Sequence, residues 1–201
     1  MKPKVVTLAM TGASGAEYTL RLIQVLLRNH IQIQFISSQP GQIVMGMETK
    51  LKLTGSPQKM HQTIVDYFSA DPELIQVYSR DQWTAPPASG SSVADAMVVC
   101  PCTMGSLASI AVGSSDNLIH RAADVAIKER KTLILVPRET PFSAVHLENM
   151  LKLARLGVVI LPPNPGFYHG VSEVSELVDF IVARILDQLG IENDLSPRWG
   201  N

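Results

Sequence analysis

Apolar positions along the chain cluster into short runs, separated by stretches whose apolar residues return every three or four positions. Val5, Val6, Leu8 and Met10 form the first run, which reads as a short strand. A turn of small residues follows, Thr11-Gly12-Ala13-Ser14-Gly15-Ala16. From about Ala16 to Asn29 the spacing of Leu20, Ile23, Leu26 and Leu27 predicts an amphipathic helix. Ile31, Ile33 and Phe35 then alternate with Gln32 and Gln34, a strand pattern that ends at Ile36-Ser37-Ser38. Gln42 to Phe68 reads as helical with a break at Gly55-Ser56-Pro57, where Pro57 suits the first turn of a second piece. A short strand is expected near Ile75 to Tyr78, and Ala85 to Ser92 is a loop of prolines, glycine and small hydroxyl residues.

Ala96 to Cys100 is continuously apolar, as in a central parallel strand buried on both faces, and Pro101 is expected to end it. Cys102-Thr103-Met104-Gly105-Ser106 repeats the small-residue turn before a second helix. Asp116 to Arg130 reads as a helix, Thr132 to Val136 as a strand, Ala144 to Leu156 as a helix closed by Gly157, and Val158 to Leu161 as the last core strand. The final helix is expected over Val174 to Leu189. This order implies an α/β fold, a three-layer Rossmann-like or flavodoxin-like sandwich with an open, mainly parallel sheet. One domain, 1–201, accounts for the whole length, with a C-terminal tail from about residue 190.

Composition narrows the function classes. Lys and Arg number 17 against 18 Asp and Glu, so the net charge of −1 favours neither a nucleic acid nor an acidic membrane as partner. The 2 cysteines, Cys100 and Cys102, are too few and too close for a disulfide framework or a four-ligand zinc site. They read as reduced thiols of a soluble, cytoplasmic protein. The N-terminal apolar run is shorter than the core of a signal peptide, and no run approaches the ~20 residues of a membrane span.

The first turn can hold a phosphate, since glycine and alanine allow close approach, Thr11 and Ser14 carry hydroxyls, and a helix follows with unpaired N–H groups. It lacks both the dinucleotide spacing G-x-G-x-x-G and the Lys-Ser/Thr ending of a P-loop. Serine stands at Ser38 where a dinucleotide fold places an acid for the ribose, and no acidic residue lies between Glu17 and Glu48, which favours a mononucleotide. Arg138 and Glu139, between Pro137 and Pro141, follow a buried strand where open sheets keep their ligands. Arg121 and Lys128 share one helix face, and Arg138 would act as a bidentate phosphate donor. The small-residue turns, Arg138, Glu139 and Tyr168 are expected to meet on one sheet edge, with Arg121 and Lys128 adding charge if their helix faces inward. The stiff loop Pro162 to Gly170 presents Phe167, Tyr168 and His169, and Trp199 in the tail suggests docking on the chain's own body or a neighbour. No tyrosine has a lysine four residues on, so a short-chain dehydrogenase is excluded.

Thr11-Gly-Ala-Ser-Gly-Ala16, Ala85-Pro-Pro-Ala-Ser-Gly-Ser91, Cys100-Pro-Cys-Thr-Met-Gly105, Arg121-Ala-Ala-Asp-Val-Ala-Ile-Lys128-Glu-Arg130, Val136-Pro-Arg-Glu139 and Pro165-Gly-Phe-Tyr168 together resemble the UbiX flavin prenyltransferases. The resemblance spans nearly the whole chain. It implies a homo-oligomer, typically a dodecamer, that joins the dimethylallyl group of dimethylallyl monophosphate to reduced FMN at N5 and C6, without a metal. The product would serve a UbiD-type decarboxylase, in ubiquinone synthesis or aromatic-acid metabolism. Carried onto this sequence, the resemblance implies that Gly12, Ala13, Ser14, Ser38, Thr103, Met104, Gly105, Ser106 and Arg138 hold FMN, with Arg138 shared between flavin and the second substrate and both Arg138 and Ser14 also counted in the catalytic set. It further implies that Ser89 and Ser91 line the cavity, and that Lys128, Glu139, Tyr168, Arg184, Arg121 and Glu48 form the allyl-phosphate and catalytic set, several from neighbouring subunits. No Asp-rich magnesium-binding run is present, as suits a monophosphate handled by Lys and Arg. Glu139 is the candidate acid/base. An FMN-dependent cysteine decarboxylase of similar architecture and a non-catalytic FMN carrier are the rival readings.

Overall fold

The computed structural model describes residues 2–168, 170–198 and 200. His169 and Trp199, singled out above, lie outside the described residues. Six parallel strands form one sheet: β1 (Val5–Met10), β2 (Gln32–Ser37), β3 (Ile75–Tyr78), β4 (Ala96–Cys102), β5 (Thr132–Pro137) and β6 (Val159–Ile160), in the order β3-β2-β1-β4-β5-β6. The helices are α1 (Ala16–Arg28), α2 (Gln39–Glu48), α3 (Pro57–Phe68), α4 (Met104–Val112), α5 (Leu118–Lys128), α6 (Ala144–Arg155) and α7 (Val174–Leu189).

The period-2 alternation within each strand sorts the core into two layers. Val6, Leu8, Met10, Ile33, Phe35, Val98 and Ile134 face one side, under α1, α2, α3 and α7. Ala9, Ile36, Met97, Val99, Leu133 and Leu135 face the other, under α4, α5 and α6. Because both faces are covered, the central strand β4 reads as an unbroken apolar run. Arg21 donates to the Asp179 carboxylate through Nε at 2.6 Å and Nη2 at 3.1 Å, which ties α1 to α7.

Three boundaries differ from the sequence pattern. Pro101 does not end its strand: β4 runs on to Cys102, with a cis Cys100–Pro101 peptide. The ladder to β5 shifts between Val99 and Cys102, so the N–H that proline lacks falls where regular pairing has already lapsed. Second, α2 starts at Gln39 rather than Gln42, because the Ser38 hydroxyl caps it by accepting the Gly41 N–H at 3.0 Å and Pro40 fits its first turn. It stops at Glu48, after which Leu51 and Leu53 point into the core from a non-helical connection. Third, α5 is shorter than Asp116 to Arg130, because the Asn117 side chain caps it by accepting from Ile119 and His120.

Candidate active site

The order of strand addition reverses between β1 and β4: the strands after β1 build outward on one side, those after β4 on the other. The C-terminal ends of these two strands therefore flank a crevice, the place where open α/β sheets bind ligands. The two small-residue turns lie on its walls. Thr11 stitches them together: its N–H and Oγ1 both reach the Pro101 carbonyl, at 3.1 and 2.9 Å, while the Thr103 N–H donates back to Oγ1 at 2.8 Å. This corrects the expectation that Thr11 offers its hydroxyl to a phosphate. It is buried, and its proton goes to the protein.

Gly12 answers a packing need as well as ligand access, because a Cβ there would overlap the Cβ of Pro40 at the start of α2. Gly15 sits at φ 126°, a conformation that favours glycine, as the residue before α1. The N–H groups of Gly15 and Ala16 are already engaged: each donates to the Glu48 carboxylate at 2.8 Å. Burial opposes the charge on Glu48, but the Ser14 hydroxyl, these two N–H groups and nearby Arg138 outweigh it and hold the carboxyl below its usual range. The sequence singled out Glu48 without showing that it covers the α1 N-terminus, since that contact spans 33 residues.

Across the crevice, Thr103 caps α4 by accepting the Ser106 N–H at 3.2 Å, with the two hydroxyls 3.1 Å apart. A Cβ at Gly105 would meet no atom, so this turn opens to free space. Arg138 follows β5; its N–H reaches the Cys102 carbonyl at 3.2 Å and its Nε the Ser14 carbonyl at 3.3 Å. It thus spans the crevice, and among the described residues its terminal nitrogens donate to no protein group. Glu139 lies beside it, half-buried, and accepts the Thr140 N–H at 3.1 Å. Gly12, Ala13, Ser14, Ser38, Glu48, Thr103 to Ser106, Arg138 and Glu139 therefore share the sheet edge where the strands end. The donor set of hydroxyls, a free helix turn and one guanidinium fits a phosphorylated flavin.

The other candidates form two separate groups. Arg121 donates through Nε to the Ala88 carbonyl at 3.1 Å and pairs with Asp124 at 3.0 Å. Lys128 pairs with Glu129, and its Nζ would stand 2.8 Å from a Cβ at Gly90. Ser89 and Ser91 bring their hydroxyls within 2.9 Å of each other in the same loop. The two cations do share a face of α5, as their spacing predicts, and it packs on the 85–92 loop. Lys128 ends α5 just before β5 begins, so it lies near the opposite sheet edge from Arg138. A six-residue strand spans roughly 20 Å, so one chain does not bring Lys128 to its own crevice. Tyr168 and Arg184 form the third group, lining one pocket on the flank of α7, with Tyr168 edge-on to Phe180 at 6.4 Å between ring centroids.

Comparison with known proteins accords with this geometry. Residues 1–186 match the family described as Flavoprotein. The flavin prenyltransferase UbiX of Pseudomonas aeruginosa is 54% identical over 198 residues, covering 98% of this chain and 95% of that one. The chain belongs to the flavoprotein family, among the UbiX flavin prenyltransferases. Two solved structures share the fold of this UbiX-type chain closely. One is a dodecameric FMN-dependent UbiX-like decarboxylase from Escherichia coli, with a TM-score of 0.87 and 36% identity over 98% of this chain and 100% of that one. The other is AnUbiX in complex with FMN and dimethylallyl pyrophosphate, with a TM-score of 0.86 and 36% identity over 100% and 99%. Among the described residues no group of His, Cys, Asp and Glu could hold a metal ion, and no helix is long and apolar enough to cross a membrane.

Proposed function

We propose that this chain binds reduced FMN in the β1/β4 crevice and transfers to it the dimethylallyl group of dimethylallyl monophosphate, making prenylated FMN for a UbiD-type decarboxylase in the cytoplasm. The observation that carries the reading is the convergence of Ser14, Thr103 to Ser106, Arg138 and Glu139 at the switch point of a flavoprotein sheet. When bound, reduced FMN supplies the nucleophilic ring positions. The chain supplies everything that acts on the phosphate. Breaking the allylic C–O bond leaves negative charge on the departing phosphate, so fixed cations and donors lower the barrier. Arg138, whose terminal nitrogens donate to no protein group among the described residues, stands where it can touch both flavin and phosphate. Glu139 beside it is placed to exchange a proton with the phosphate or with the ring carbon that must lose one.

Lys128, Arg121, Ser89 and Ser91 belong to the same site in this reading, reaching the crevice from a neighbouring copy, and Tyr168 with Arg184 from another. A homo-oligomer, a dodecamer as in the Escherichia coli structure, satisfies that requirement. The test is anaerobic incubation of the protein with reduced FMN and dimethylallyl monophosphate, followed by mass measurement of the flavin. Addition of one five-carbon unit is the expected result. Unchanged flavin refutes the reading.

A further inference from the structure

The pocket on the flank of α7 is lined by Tyr168, Phe180, Arg184, Asp187, Ser196 and Arg198, of which Ser196 and Arg198 come from the C-terminal tail. The tail is built in. Gly190 turns the chain at φ 67°, Ile191 is buried in the core, and Leu195 packs against it. Asn193 donates to the Asp187 carboxylate at 3.3 Å. Arg198 then returns to the same carboxylate in a two-pronged bond, 2.8 Å from Nη1 to Oδ2 and 2.8 Å from Nη2 to Oδ1. Arg184 donates to Oδ2 as well, at 2.7 Å. Asp187 is the buried member, 17% exposed against 52% for Arg184 and 48% for Arg198.

One carboxylate facing two guanidinium groups leaves a surplus positive charge in the pocket. Nε and Nη2 of Arg184 and Nε of Arg198 have no protein acceptor among the described residues, so donors remain for an incoming anion. Asp187 does not repel that anion strongly, because both of its oxygens already accept from guanidinium groups, Oδ1 from Arg198 and Oδ2 from Arg198 and Arg184. On the proposed reading that Tyr168 and Arg184 take the allyl phosphate, we propose that Arg198 is a further phosphate-binding residue of this subsite, and that Asp187 is the positioning residue that holds both arginines over it.

Initial rates of prenylated flavin formation against dimethylallyl monophosphate, at saturating reduced FMN, test this together with fluorescence titration of FMN. For Arg198→Gln we expect KM to rise about tenfold or more, the scale of a lost charge-assisted bond, with kcat and FMN affinity little changed. Arg198→Lys, which keeps the charge but cannot fork onto Asp187, should fall between the two proteins. Asp187→Asn should raise KM without weakening FMN binding. A KM for Arg198→Gln within about twofold of the parent overturns the proposal, as does a rise matched by equal loss of FMN affinity, which marks the tail as merely structural. If the parent protein makes no prenylated flavin, the proposed function fails, and calorimetric titration of the FMN-loaded protein with inorganic phosphate decides the pocket. Binding lost in Arg198→Gln supports it; binding unchanged, or absent from the parent, overturns it.

Discussion

Replacing Gly12 by alanine tests whether the first turn is shaped by packing or by ligand access alone. The added Cβ would overlap the Pro40 Cβ and stand 3.4 Å from that residue's Cα and carbonyl carbon, against a carbon–carbon optimum of ~3.5–4.0 Å. Relief requires a shift of ~1 Å, and a proline ring cannot rotate out of the way. Gly41, one residue on, is pressed so closely on the end of β1 that its own Cβ would sit 2.9 Å from the Met10 carbonyl oxygen. The start of α2 therefore has to back away from the sheet. Overpacking of this kind costs ~1–3 kcal/mol, which for a chain of this size lowers Tm by ~2–12 °C at ~2–4 °C per kcal/mol. Ser38 caps the start of α2 and Glu48 is its last residue, so both move with it and FMN affinity should fall too. Gly105→Ala is the matched control: its Cβ enters open space in the first turn of α4, so the flavin-free protein should melt no lower than the parent and up to ~1 kcal/mol more stably. Scanning calorimetry of flavin-free protein and fluorescence titration with FMN read both effects. Gly12→Ala melting at the parent temperature, or Gly105→Ala melting below Gly12→Ala, refutes the argument.

Glu139→Gln should slow turnover far more than it weakens FMN if Glu139 acts in proton exchange as proposed; equal loss of both in rate and binding assays contradicts that assignment. Glu48 titrates below its ordinary value of 4.5 in the folded chain, so its stabilising contribution is present above that value and is lost as pH falls through the folded one. Glu48→Gln should therefore cost about 1 kcal/mol at neutral pH, as a lost helix-terminal carboxylate does, with the gap closing as the pH falls below 4.5 and through the folded value. A Tm difference that stays constant across that range sinks the prediction. Burial pushes the Cys100 thiol up to about 12 and raises Cys102 as well, so neither should react with iodoacetamide at about pH 8 until the protein is unfolded. Mass spectrometry showing rapid alkylation of the native protein would contradict this.

Strand and helix identities were legible because they are written in local periodicity: alternation in β1 and β2, and three- and four-residue returns in α1 and α7; the caps Ser38 and Asn117, which set where α2 and α5 begin, were not read from the pattern. Pro101 misled because its tolerance within β4 depends on the register of β5, not on its own neighbours. The candidate residues were also legible as types in motifs, Arg138 and Glu139 between prolines and Ser14 in its turn. Their grouping was not. The sequence by itself determined an open α/β sheet with anion-suited turns after two of its strands. Only the tertiary structure decided that Thr11 spends its hydroxyl on Pro101, that Glu48 covers the α1 N-terminus, that Arg138 and Lys128 lie toward opposite sheet edges, and that Asp187 gathers Arg184 and Arg198. Those contacts join segments brought together by burial of the two sheet faces, and neither the strand order nor the approach of α2 to β1 leaves a mark in the local pattern of residues.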